Sequence, residues 1–237
     1  MDYSALLNRC AERSYLISMI PPEELVRIGY EAGMNAQSTV LDLCCGYGAM
    51  LKIWHEAFGV SGVGVDIVQE FISEGRARLG AAGVRAVDLQ YGDVKKYRSR
   101  DKFDFVNCTT DFLDTAATDG IAQTLELMER FVKPGGKLIF NNRYAKTEHS
   151  PQALHDFEGI TRTLPEINAL LRGRGYFITA MASCNDSEWE RYIMWSARRH
   201  LDALRKNPGD TKQRAWCDKW YDTYFGLRRQ HVHSSSK

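Results

Sequence analysis

The stretch Val40-Leu41-Asp42-Leu43-Cys44-Cys45-Gly46-Tyr47-Gly48-Ala49-Met50 decides the fold. An apolar run that ends in Gly-x-Gly reads as a buried strand entering a tight turn. Met50, Leu51, Ile53, Trp54 and Phe58 follow at helical spacing. Strand, glycine turn and helix make the first unit of a nucleotide-binding α/β sheet. Glycine lets backbone approach a ligand where a Cβ would collide.

Two further strand ends carry acids. Gly62-Val63-Gly64-Val65-Asp66 places a carboxylate where such folds meet a ribose, and Asp88-Leu89-Gln90-Tyr91-Gly92-Asp93 ends a third strand in another. The third glycine of a dinucleotide fingerprint is missing, because Leu51 stands there, which argues against NAD. Phe103 to Asn107 reads as a fourth strand. Ile121 to Phe131 reads as a helix, and Lys133-Pro134-Gly135-Gly136 as a turn into a fifth strand, Lys137 to Phe140.

In order and spacing, Asp42…Gly46-x-Gly48, Asp66, Gly92-Asp93, Phe103-Asp104-Phe105-Val106 and Val132-Lys133-Pro134-Gly135-Gly136-Lys137-Leu138 resemble the class I S-adenosylmethionine (SAM)-dependent methyltransferases. The resemblance runs from about Pro21 to Cys184. It implies an α/β fold with a mostly parallel, doubly wound six- or seven-stranded sheet and helices on both faces. It also implies SAM as cofactor. Gly46 and Gly48 then face the methionine portion, and Asp42 organises the turn and the ligand's amino group. Asp66 takes the ribose hydroxyls and Asp93, after Gly92, the adenine amino group, with Ile67 or Val94 on the ring. A turn cap is the other reading of Asp93. Asn107, at the end of the fourth strand, faces the transferable methyl, and Tyr15 resembles a lid residue. Cys44 stands where the family usually has glycine. The Asn/Asp-Pro-Pro-aromatic signature of enzymes that methylate exocyclic amines is absent after Asn107.

The loop beyond the fifth strand is where acceptor contacts are expected in an open parallel sheet. Asn142, Tyr144 and His149 are the catalytic candidates there, since each can hydrogen-bond or move a proton; solvated loop residues are the alternative. Leu164 to Leu171 reads as a helix and Tyr176 to Ala182 as a sixth strand. Ser187-Glu188-Trp189-Glu190 reads as a capping box opening a helix to about Lys206. A break at Asn207-Pro208-Gly209 then leads to a second helix reaching about Arg228. Trp189, Tyr192, Trp195, Trp216, Trp220 and Tyr224 form an aromatic wall, either core or acceptor-enclosing.

The organisation expected is therefore a SAM-binding core with an N-terminal helical lid over residues 1–185, and a helical hairpin over 186–237 on the same domain. At 237 residues this is one ordinary core. A net charge of +1 removes the simplest argument for nucleic acid; Arg198, Arg199 and Arg205 read as a solvated helix face rather than a phosphate patch. No apolar run approaches the ~20 residues of a membrane span. Six cysteines without C-x-x-C spacing suggest neither zinc nor a disulfide framework, hence a reduced, cytoplasmic protein without metal. The expected partner is a small-molecule acceptor, with no nucleic acid and no membrane, and a homodimer stays open. Methyl transfer releasing S-adenosylhomocysteine is the leading reading. Cyclisation or aminocarboxypropyl transfer, releasing methylthioadenosine, and a non-catalytic SAM-binding regulator are the rivals.

Overall fold

The structure, a computed structural model, describes residues 12–109, 120–142, 144–145 and 162–231. In chain order the elements are α1 (Pro22–Glu31), β1 (Thr39–Leu43), α2 (Ala49–Phe58), β2 (Ser61–Asp66), α3 (Gln69–Ala81), β3 (Val87–Tyr91) and β4 (Phe103–Thr109). After these come α4 (Gly120–Glu129), β5 (Val132–Asn141), α5 (Leu164–Gly173), α6 (Asp186–Lys206) and α7 (Thr211–His231). The strands form one parallel sheet in the order β3-β2-β1-β4-β5.

This order follows from burial. A parallel strand covered on both faces must be apolar on both, and Val40, Leu41 and Leu43 are all inaccessible to solvent. Val40 faces one cluster with Leu51, Trp54, Ile72 and Leu89. Leu41 and Leu43 face the other, with Val65, Val106, Cys108 and Met128. Trp54, fully buried, donates its indole N–H to the Leu25 carbonyl at 3.0 Å and ties α2 to α1. At the amino end, Asp104 accepts from the Thr39 amide (2.9 Å) and hydroxyl (2.8 Å) and from Lys133 Nζ (2.9 Å), joining β1, β4 and β5.

The chain winds from β1 through β2 to β3 on one side. It then returns across the sheet to β4, on the other side of β1. The β1–β4 boundary is thus the switch point where ligands bind in open sheets, at the carboxyl ends of the strands. Register puts Asp42 opposite Asn107 and Leu43 opposite Cys108 there.

Three expectations need correcting. The sheet has five strands among the described residues, not six or seven. Residues 176–182 have no regular secondary structure and join no ladder, and Phe177, Ile178 and Met181 are exposed. A strand needs a neighbour for its amides and carbonyls; here the Met181 carbonyl accepts from Arg27 instead, at 2.8 Å. The capping box is not at Ser187. Asn185 caps α6 by accepting from the Glu188 amide at 2.9 Å, since asparagine is as good a cap as serine and starts the helix earlier. Finally, in the N-terminal lid only residues 12–14 of those described are helical; the chain turns at Tyr15 and runs irregularly to Pro21.

The tightest contact between core and turn is at Gly75 of α3. A Cβ there would lie 2.5 Å from the Tyr47 carbonyl oxygen and 2.7 Å from Leu89. Alanine raises helix propensity by about 1 kcal/mol, yet this clash with backbone costs about 1–3 kcal/mol. Gly75→Ala is therefore expected to lower the urea midpoint; a rise would show that α3 can move away from the turn.

Candidate functional site

The glycine turn is shaped by three residues in the left-handed region: Cys44 (φ 65°), Gly46 (φ 56°) and Gly48 (φ 74°). Cys44 is the one described residue other than glycine with positive φ, a conformation that costs a side-chain-bearing residue about 1–2 kcal/mol. The amides of Cys44 and Cys45 both donate to the Val65 carbonyl, at 2.8 and 3.1 Å. The Gly46 amide donates to Asp66 Oδ2 at 2.8 Å, and Asp66 Oδ1 accepts from the Val68 amide at 2.9 Å. Asp66, nearly buried, thus ties the turn after β1 to the turn after β2. Each of its oxygens retains a lone pair.

Asp42 is the electrostatic centre. Its Oδ1 accepts from Asn107 Nδ2 at 2.6 Å, while its Oδ2 and the Asn107 Oδ1 are buried without a hydrogen-bond partner among the described residues. Burial pushes the Asp42 carboxyl up to about 7; the Asn107 bond opposes this and the Asp66 charge adds to it. Two orphaned acceptors side by side at the switch point call for a donor, and a cation serves best.

The other sequence-derived residues fall around this centre. Ile67 is exposed beside Asp66, whereas Val94 is buried in the second cluster, so Ile67 is the one with an open apolar face. Gly92 donates its amide to the Asp66 carbonyl at 2.9 Å. Asp93 Oδ1 caps its own turn by accepting from the Lys95 amide at 2.9 Å. Asn142 and Tyr144 stand just past β5, and Tyr144 packs on Ile121, Leu125, Ile167 and Leu171. His149 lies outside the described residues.

Several groups over the turn carried no motif. Tyr47 packs edge-on against Tyr15 (5.0 Å between centroids) and tilted against Phe71 (4.5 Å). The Arg78 guanidinium covers Tyr15 at 3.4 Å. Arg199 of α6 donates to the Tyr47 hydroxyl at 3.2 Å and lies over Phe71 (4.7 Å) and Trp195 (5.4 Å). Arg199 is thus half-buried on the turn, whereas Arg198 and Arg205 are exposed as a solvated face requires. Glu188 pairs with Arg13 and with Arg191 (2.8 Å), and Arg191 donates to the Ser18 carbonyl. The Ile17 side chain lies 3.0 Å from where a Cβ on Gly46 would stand. Residues 13–18 are therefore strapped between the turn and α6. The remaining aromatics mostly pack the hairpin: Trp220 is buried with Ile193 and Ala197, against Trp189, Tyr192 and Tyr224. Trp216 sits outside, against His200.

Asp42 has a readable consequence for stability. Its folded value lies above its unfolded value of about 4, so its contribution is full at low pH and lost as pH rises through about 7. Between those limits the slope from this group approaches 1.4 kcal/mol per pH unit. Asp42→Asn keeps the shape and removes the titration. Denaturation of both proteins from pH 4 to 8, without ligand, should show the variant losing this slope; parallel curves would refute it.

With this geometry in hand, comparisons with known proteins agree. A family model described as a methyltransferase domain matches residues 40–136. A SAM-dependent methyltransferase from Thiobacillus denitrificans, solved in complex with S-adenosyl-L-homocysteine, is similar with a TM-score of 0.74 and 27% identity over 88% of both chains. The Escherichia coli protein YjhP is 27% identical over 197 residues, 79% of this chain and 77% of its own. The demethylmenaquinone methyltransferase of Shouchella clausii is 32% identical over 109 residues, and that match spans 45% of either chain. Among the described residues no helix is long and apolar enough to cross a membrane, and no cluster of histidines, cysteines and acids has the makings of a metal site. Residues 40–136 thus match a methyltransferase domain, and the chain has the class I, Rossmann-like fold of the SAM-dependent methyltransferases.

Proposed function

We propose that this protein transfers a methyl group from SAM to a small-molecule acceptor and releases S-adenosylhomocysteine. The observation that carries this reading is the pair of orphaned acceptors, Asp42 Oδ2 and Asn107 Oδ1, beside a glycine turn that opens helix α2. SAM carries an ammonium, a carboxylate and a sulfonium, and this end of the sheet offers a matching partner for each sign. Asp42 and Asn107 receive the ammonium. The amides at the start of α2, where the helix dipole is positive, suit the carboxylate. Asp66 takes the ribose hydroxyls on its remaining lone pairs, Ile67 covers the adenine, and Asp93 accepts from its amino group.

When bound, SAM supplies an already activated methyl on sulfur. The chain's own work is then to position, to exclude water and to hold a proton. Tyr15, Ile17 and Tyr47 close over the turn and shed water from it. Asn142 and Tyr144, just past β5 at the end of the sheet where acceptors approach, are proposed to orient the acceptor, and His149, later in the same stretch of sequence, to take its proton. A net charge of +1 favours a small acceptor over nucleic acid. The demethylmenaquinone methyltransferases match over less than half of this chain, so the likeness carries no acceptor with it.

Isothermal titration calorimetry tests the cofactor assignment. Asp66→Ala should weaken SAM binding by about 1.5–3 kcal/mol, the scale of charge-assisted hydrogen bonds. Unchanged affinity would remove Asp66 from the site.

The ammonium assignment has its own signature. A cation on Asp42 drives its proton off, so SAM affinity should rise with pH up to about 7 and then level. Titrations at pH 6 in buffers of different ionisation enthalpy should report proton release, which Asp42→Asn abolishes. Equal observed heats in the two buffers would mean that the ammonium binds elsewhere. Turnover that yields methylthioadenosine instead of S-adenosylhomocysteine would replace methyl transfer with another SAM chemistry.

A further inference from the structure

Cys44 holds a thiol in a backbone conformation that glycine adopts freely, at the entrance of the turn proposed to carry the cofactor. Strain of this kind persists where the surrounding structure enforces it, and it clusters at functional positions. The two adjacent cysteines part company here. Cys45 turns to the first cluster, against Gly64. Cys44 turns to the second, which contains Cys108.

Cys108 is the direct neighbour of Leu43 across β1 and β4, and Cys44 is the next residue along. Neighbouring strands lie about 4.8 Å apart and the one-residue offset lengthens this to about 6 Å, within the ~4.4–6.8 Å that a disulfide spans between Cα atoms. Both side chains lie in the second cluster, Cys108 within it and Cys44 packed against it. Cys108 is fully buried, whereas Cys44 is partly accessible. The neighbouring Cys44 thiol and then burial push the Cys108 thiol up, so Cys44 is the sulfur that meets an oxidant first.

We propose that Cys44 and Cys108 are a peroxide-sensitive dithiol whose closure to a disulfide switches off cofactor binding. The Cys44 sulfur attacks the O–O bond of a hydroperoxide. An S–O bond forms, the O–O bond breaks, and the leaving oxygen departs as water or alcohol with the thiol proton. The Cys108 sulfur then attacks the Cys44 sulfenic acid. The S–S bond forms and the hydroxyl leaves as water with the Cys108 proton. Two thiols are oxidised by two electrons and one peroxide is reduced.

Closure draws the two sulfurs together to a covalent bond of about 2.05 Å. The displacement falls on a turn whose amides are otherwise fixed by Val65 and Asp66. Cys44 moves, and the amides of Cys45 and Gly46 move with it. Thiol reductants reverse the reaction.

The effect on binding rests on the cofactor placement proposed above, whereas formation of the bond does not. The full-length protein is treated with hydrogen peroxide, then analysed by intact mass and peptide mapping without reduction. S-adenosylhomocysteine affinity is measured before treatment, after it, and after dithiothreitol. The expected result is a loss of about 2 Da, one Cys44–Cys108 cross-link, and a fall in affinity of about tenfold or more that the reductant restores. Cys108→Ala should bind as the reduced natural protein does and form no cross-link. In its place Cys44 should be captured as sulfenic acid by dimedone.

A cross-link through other cysteines, or none, overturns the proposal, and so does a Cys44–Cys108 bond that leaves affinity unchanged. If Cys108→Ala does not fold, the peptide map and affinities of the natural protein decide. If the reduced protein fails to bind S-adenosylhomocysteine at all, the cofactor reading falls. The peptide map alone then upholds or rejects the dithiol.

Discussion

A carboxylate buried at the carboxyl end of the central strand, with one oxygen hydrogen-bonded and the other bare, is the constraint on which this molecule turns. Burying Asp42 is costly unless it is protonated or paired. Asn107 offsets part of that cost, yet it brings a second bare acceptor with it. A fold under selection for stability alone would place two apolar residues at this pair of positions, as it does next door with Leu41 and Val106. Keeping the polar pair makes sense when a cationic partner completes it, so the local deficit in the free protein is the other face of affinity for the ligand.

The neighbouring acid is used differently. Asp66 is also nearly buried, but both oxygens are occupied by backbone amides of the two turns it joins. One carboxylate is thus spent on shape and retains only spare lone pairs for a ligand, while the other is left electrostatically unfinished. This division explains why burial shifts Asp42 so strongly, and why the turn keeps its form although Cys44 occupies a position suited to glycine. Three amide bonds hold the turn, two to Val65 and one to Asp66, and they outweigh the strain of one side chain.

How much of this the sequence disclosed depended on distance along the chain. The glycine turn, the acids at the ends of β2 and β3 and the break before α7 are local patterns, and each stands where the pattern put it. The capping box failed by two residues because Asn185 and Ser187 are both good caps, and the choice between them is tertiary: starting at Asn185 frees Glu188 to pair with Arg13 and Arg191. The expected strand at 176–182 failed for the same reason, since pairing is a property of a neighbour and not of the segment. Arg199 read as one of several solvated arginines. Only its register against Tyr47, 152 positions earlier, sets it apart from Arg198.

That contact also shows where selectivity can be built. The residues proposed to hold the cofactor lie close in sequence, most of them within the span 40–136 that the methyltransferase-domain model matches. The cover over it is assembled from both ends of the chain: Tyr15 and Ile17 from one, Glu188, Arg191 and Arg199 from the other. The two are joined by ion pairs and by a stack of three rings, Tyr15, Tyr47 and Phe71, with the guanidinium of Arg78 at one end and that of Arg199 at the other. A guanidinium resting on a ring is worth about 0.5–2 kcal/mol according to exposure. Such a cover is strong enough to hold and weak enough to lift, and it touches the cofactor turn directly through Tyr47. With the cofactor placed as proposed, changes in the hairpin reshape what approaches the methyl group while leaving Asp42, Asp66 and the turn untouched, so that one proposed cofactor site can serve many acceptors.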